Sequence, residues 1–150
     1  MPADAAAPSA FAREPLRSTP QMLEQLDFLY MPSRDVAGDA AWFVEMLGGR
    51  LAFAIDDGGI RVAMIELTPT PPRILLTDHL EGERPILIYR VADLEAAARD
   101  AAARGLKPDR SIEIPPGPCR TFRGPGGHRI ALYQPTRPDV IRHFEGRRDF

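Results

Sequence analysis

The hydrophobic period of this chain changes along its length, and the same order of periods occurs twice. Residues 23–31 form the first strand candidate, which Pro32 ends. Residues 35–47 switch to helical spacing. Ala40, Ala41, Phe43, Val44 and Leu47 recur at that spacing, and Gly48-Gly49 supplies the C-terminal stop. Strand candidates at 50–55 and 60–67 flank Asp56-Asp57-Gly58-Gly59, a hairpin signal because glycine accepts positive φ. A proline-rich connection over 68–72 leads to a fourth strand at 73–77.

The order then returns. Residues 85–91 predict a strand, and 93–104 a helix with Asp93 as N-cap and Gly105 as stop. Short strands at 111–114 and 119–123 surround Pro115-Pro116-Gly117-Pro118. Gly124-Pro125-Gly126-Gly127 is a turn, and 128–134 is the last strand. Residues 138–144 predict a short helix, and the charged end beyond it is expected to fray.

Asp35 and Asp93 stand 58 residues apart, and the same offset puts Phe28 on Ile86 and Tyr30 within one place of Tyr89. A repeat of this length is a supersecondary unit that cannot bury its apolar face alone. The expected fold is therefore α+β: two βαβββ modules forming a curled half-barrel sheet, helices outside, around a central cavity. Residues 1–20, rich in Ala, Pro and Ser, are expected to be a mobile tail. One domain spans 21–136, with module one at 23–80 and module two at 84–136. A C-terminal extension covers 137–150.

Charge and composition remove several functions. A formal charge of −2 gives no electrostatic case for nucleic acid or an anionic membrane as partner. No apolar run approaches the roughly 18 residues that span a bilayer. The first ten residues lack a basic start and an apolar core, so no secretory signal is expected. The single cysteine, Cys119, excludes an internal disulfide framework and fits a reducing cytoplasm.

Three segments carry a resemblance. The first is Arg34-Asp35-Val36, Ala41-Trp42-Phe43 and Met46-Leu47-Gly48. The second is the run from Tyr89 to Ala96 with Gly105 after its helix. The third runs from Phe122 through the glycine turn to Pro135. With the internal repeat, these segments resemble the vicinal oxygen chelate superfamily, which includes glyoxalase I, bleomycin-resistance proteins, fosfomycin-resistance enzymes and extradiol dioxygenases. The resemblance implies a βαβββ duplication, a cavity and a homodimer. In metal-using members four strand positions hold the ion. Here the matching residues are Phe28, Leu75, Ile86 and Ala131. None can coordinate a cation, since such sites need imidazole, carboxylate or thiolate donors. The resemblance therefore implies the fold without the metal, and no cofactor is expected.

Strand alternation names the residues that share a face with those four positions. Leu26 and Tyr30 go with Phe28, Ile88 and Arg90 with Ile86, Arg73 and Thr77 with Leu75, and Arg129 and Tyr133 with Ala131. Phe28, Tyr30, Arg73, Leu75, Ile86, Ile88, Arg90, Arg129, Ala131 and Tyr133 thus form the candidate ligand-binding set. Such a lining suits a small hydrophobic or aromatic molecule, with arginine available for an anionic group. The plainer reading stands beside it: the apolar members fill a collapsed core, and the arginines pair with Asp27, Asp93 or Glu66 at strand ends. Trp42 and Phe43 suit core packing or a subunit contact. Cys119 is placed in a proline-rich loop beside Arg120, which would lower its pKa, yet no neighbouring His makes it a nucleophile.

The expected function is metal-free binding or sequestration of a small molecule, and no catalytic residue is assigned. The rival is a glyoxalase-like lyase or isomerase, or a dioxygenase, using a re-sited divalent metal or metal-free acid–base chemistry. Its candidates are Glu66, Glu113 and His128. A third reading is a structural or regulatory module that acts through its dimer surface with a filled cavity.

Overall fold

Two aspartates start the two long helices in the same way. In the computed structural model, which describes residues 22–150, the Asp35 carboxylate accepts from the Gly38 amide and the Asp93 carboxylate from the Ala96 amide. Each side chain thereby satisfies one of the free N–H groups at a helix start. Helix α1 is Val36–Leu47 and α2 is Leu94–Ala103. The expected tail over 1–20 lies outside the described residues.

Around these helices the chain lays down β1 (Gln25–Pro32), β2 (Arg50–Asp57), β3 (Ile60–Glu66) and β4 (Arg73–Thr77). Module two supplies β5 (Ile86–Arg90), β6 (Lys107–Ile114), β7 (Gly117–Arg123) and β8 (Arg129–Tyr133), and a short helix α3 (Val140–Phe144) follows. All eight strands join one sheet in the order β2-β3-β4-β1-β5-β8-β7-β6. Within each module the first strand lies parallel to the last, β1 beside β4 and β5 beside β8. The modules meet where β1 runs antiparallel to β5. The β2–β3 hairpin turns at Gly58 and Gly59, whose φ values of 61° and 90° suit only glycine at such a turn.

Three apolar clusters result. The α1 residues Val36 and Ala40 cover Ala54, Ala63, Ile65, Ile74 and Leu76 on the outer face of module one. Leu94, Ala97 and Ala101 of α2 cover Phe122 and Leu132 of module two. The third and largest cluster lies on the other, concave face and draws on both modules.

Three details differ from the sequence reading. Strand β6 begins at Lys107 rather than 111, because pairing with β7 runs back to Lys107–Arg123. Its first residues are polar and exposed on an edge strand, so no alternation marks them. Cys119 lies on β7 rather than in a loop, and it is buried. Tyr30 has Ile88 as its repeat counterpart, one place from Tyr89 as the offset gave, and Tyr89 packs with the α2 cluster. The charged C-terminus is held rather than frayed: its backbone bonds to β2, with Ala54 N donating to Arg147 O at 2.8 Å and Asp149 N to Ala54 O at 2.7 Å.

Candidate functional site

The concave face gathers the predicted apolar set. Phe28, Tyr30, Leu75, Ile86, Ile88, Ala131 and Tyr133 belong to one buried cluster. Strand pairing explains the convergence. Tyr30 lies opposite Ile86 on one side and beside Leu75 on the other, and Ile88 lies beside Ala131. The four positions matched to metal ligands, Phe28, Leu75, Ile86 and Ala131, therefore come together as hydrocarbon. Among the described residues no three His, Cys, Asp or Glu side chains are grouped to hold a metal. None of those four side chains carries a donor for a divalent cation.

Each candidate arginine already has a partner. Arg73 Nε lies 2.8 Å from Glu66 Oε2. Arg90 Nε lies 3.4 Å from Glu24 and 3.9 Å from Asp27, with no hydrogen bond made by that buried nitrogen. Arg129 is buried and donates to two backbone carbonyls of the β4–β5 connection, Glu81 O at 3.0 Å and Arg84 O. Arg129 thus ties that connection down over module two.

Beneath it is a pocket of about 80 Å³, room for a few waters or the end of a small organic group. Tyr30, Ile86, Ile112 and Thr121 from the sheet and His79 and Leu80 from the connection line it. The Tyr30 hydroxyl and His79 Nε2 are 2.8 Å apart. Burial pushes the Tyr30 phenol above its ordinary range, so it stays protonated at neutral pH. The rest of the exposed wall is mainly apolar by area, and five charged side chains, Glu81, Asp109, Arg110, Arg123 and Arg129, complete the lining.

His79 is one of three histidines in the chain, and nothing in its neighbouring residues marks it. Only a contact across 49 residues brings it to Tyr30, and no local pattern announces such a contact. The three acid–base candidates read from sequence lie elsewhere. Glu66 is bound by Arg50 and Arg73, Glu113 pairs with Arg137, and His128 is exposed on the glycine turn. None of the three lines the pocket.

A β-bulge alters one more expectation. Register slips between Leu26 and Phe28, and Asp27 is buried beside Phe28. Asp27, not Leu26, faces the same side as Tyr133, whose hydroxyl donates to the Asp27 carboxylate. Burial and then the adjacent carboxylate push the Tyr133 phenol well above its usual range. Cys119 is raised to about 12, chiefly by burial and then by Glu113, the reverse of the lowering expected from Arg120.

Comparison with known proteins adds the class of fold. Methylmalonyl-CoA epimerase from Mycobacterium tuberculosis superposes with a TM-score of 0.66 at 20% identity, over 80% of this chain and 93% of that one. A single-substitution variant of Streptomyces coelicolor methylmalonyl-CoA epimerase, in complex with 2-nitronate-propionyl-CoA, gives 0.62 at 16% identity over 77% and 96%. A hypothetical protein from Bacillus halodurans C-125 gives 0.63 at 14% identity over 73% and 93%. No family model and no curated protein matches the sequence. The fold is of the vicinal oxygen chelate type, a curled, unclosed eight-stranded sheet built from two βαβββ modules. No helix among the described residues is long and apolar enough to cross a membrane.

Proposed function

We propose that this protein binds the apolar end of a small organic molecule in the module-two pocket, without a metal. The carrying observation is the Tyr30–His79 pair set into a mainly apolar wall on the concave face. Such a pocket fixes orientation through its few polar groups and gains affinity from apolar contact. Ile86, Ile112 and Thr121 would contact the ligand, and Tyr30 would orient it. Its volume of about 80 Å³ suits a short acyl chain better than a whole aromatic ring, and one structural relative carries a propionyl-CoA analogue. Any larger body of the ligand lies outside the mouth, where Arg110 and Arg123 stand paired with Glu81 and Asp109. A homodimer belongs to the same proposal: Trp42, Met46 and Leu47 leave an apolar strip of α1 exposed, and light scattering decides it.

The test is unfolding of wild type and Thr121→Leu with propionyl-CoA and propionate. A ligand at a hundredfold its dissociation constant stabilises by about 2.7 kcal/mol. Thr121→Leu fills the pocket and is expected to remove that gain. Equal stabilisation of both proteins would move the site elsewhere.

The same pair favours a second reading, metal-free proton transfer. With the bond between the two exchanged for bonds to the substrate, His79 Nε2 would accept a proton from a carbon beside a carbonyl, and the Tyr30 hydroxyl would donate its proton in a hydrogen bond to the oxygen where charge develops. Tyr30→Phe and His79→Gln would then abolish deuterium exchange into a bound acyl-CoA while leaving its affinity within a few fold. Exchange unaffected by both variants excludes this reading.

A further inference from the structure

We infer that residues 140–150 fill a second, latent ligand site: the module-one counterpart of the module-two pocket. The repeat supplies the first argument. Phe28 of β1 corresponds to Ile86 of β5, so the two halves of the concave face are built alike and differ in what covers them. Over module one, Ile141 and Phe144 of α3 pack against the concave cluster. The Phe144 ring sits 5.4 Å from the ring of Phe53 on β2.

The backbone after α3 then runs along β2. Gly146 N donates to Ala52 O at 2.7 Å, and Ala54 and Arg148 form a parallel bridge. Glu145 pairs with Arg50 at 2.8 Å, and the Asp56 amide donates to the Asp149 carboxylate at 2.9 Å. No described segment covers module two in this way: its edge strand β6 has β7 on one side only, and its pocket stays open.

The helical part of the cover is lightly held, while residues 146–149 carry backbone hydrogen bonds to β2. Helix α3 has five residues, none buried and no side-chain cap, and a helix so short is not stable alone. The Arg50–Glu145 pair is exposed, and exposed pairs contribute little. Opening of such a segment costs less than opening the sheet beneath it.

What sits in the site defines what could replace it. Phe144 places an aromatic ring on Phe53, and the next residue, Glu145, places a carboxylate on Arg50. The chain's own Phe-Glu pair is thus a template for a small aromatic carboxylate, and departure of the segment would uncover Phe53 and release Arg50 Nη1, while Arg50 Nε and Nη2 stay on Glu66. The latent site is independent of the module-two reading, since no residue is shared between the two.

The probe is 1-naphthoate, a ring bearing one carboxylate. Its binding to wild type and to the full-length Ile141→Ala/Phe144→Ala variant is counted by calorimetry, with amide hydrogen exchange read on the same samples. The variant is expected to bind one more equivalent than wild type, and Arg50→Gln in that background to weaken the added equivalent at least tenfold. The Ala54 and Asp149 amides are expected to exchange at least tenfold faster, with Leu75 unchanged. Released amides without an added equivalent would overturn the site, and unreleased amides would overturn its lightly held cover. If the variant loses protection at Leu75 as well, wild type decides: naphthoate must accelerate exchange at Ala54 by displacing the segment, and slowed or unchanged exchange refutes the proposal.

Discussion

Leu29 of β1 lies directly opposite Leu87 of β5, and the two are equivalent positions of the 58-residue repeat. On either side the pairing inverts. Phe28 faces Ile88 and Tyr30 faces Ile86, so each residue meets the counterpart of its neighbour's neighbour. A pseudo-two-fold axis therefore passes between Leu29 and Leu87. The seam needs both modules, because each contributes one half of every pair across it. A charged residue at Ile88, which is 1% exposed at this seam, is expected to prevent folding rather than report on binding.

The two helix caps should behave as equivalents. Asp35→Ala and Asp93→Ala each remove one side-chain acceptor at a helix start and are expected to cost about 1 kcal/mol. The sites share no partner, so the double variant is expected to lose about the sum. Urea unfolding checks this, and a marked excess over the sum would mean that the helices communicate through the seam.

Gly117 is fixed by crowding. A Cβ there would overlap the Gln134 carbonyl oxygen, which belongs to the backbone and cannot swing away. Gly117→Ala is expected to destabilise by several kcal/mol, on the order of the largest single-substitution effects. Gly124→Ala, whose Cβ would meet only His128 at 3.6 Å or more, serves as the mild control. Thermal unfolding of the two variants gives the comparison.

Cys119 predicts an alkaline loss of stability. Its thiol has an ordinary pKa of 9.0 and is raised to about 12 in the folded chain by burial. Below about 9 the thiol is protonated folded and unfolded, and its contribution is intact. Between about 9 and 12 the unfolded chain ionises first, so stability falls as pH rises, at up to about 1.4 kcal/mol per unit. Cys119→Ala should flatten part of that slope in denaturant titrations. Iodoacetamide is expected to label the native protein only after unfolding, and rapid labelling at pH 8 would contradict the burial.

Tyr133 and Asp27 test the bulge. Tyr133→Phe leaves the buried Asp27 carboxylate without that donor, a loss of about 1–3 kcal/mol. Asp27→Asn keeps an acceptor and is expected to cost less. Equal costs in unfolding experiments would place the value of the contact in packing.

Arg129 should control the connection above the pocket. Arg129→Gln withdraws donors from Glu81 O and Arg84 O, and the 79–84 amides are expected to exchange faster while β8 stays protected. An unchanged connection would mean that its remaining contacts, Arg84–Gly126, Glu81–Arg110 and His79–Tyr30 among them, suffice to hold it.

Local chemistry determined much of this molecule. Alternation, helical spacing, two capping aspartates and the glycine turns each act within a few residues, so they placed all three helices and located every strand. The exact repeat of Asp35 at Asp93 also foretold the paired modules. The hydrocarbon character of Phe28, Leu75, Ile86 and Ala131 was legible too, and strand pairing gathers them in one buried cluster. Tertiary structure decided the rest. It set the His79–Tyr30 pair, which spans 49 residues, and the turning of Asp27 by a one-residue slip in register. It also seated the C-terminus on β2 and raised the Cys119 thiol by burying it. Those features depend on which distant strands become neighbours and on how much water their packing removes, and neither is a property of any short stretch of chain.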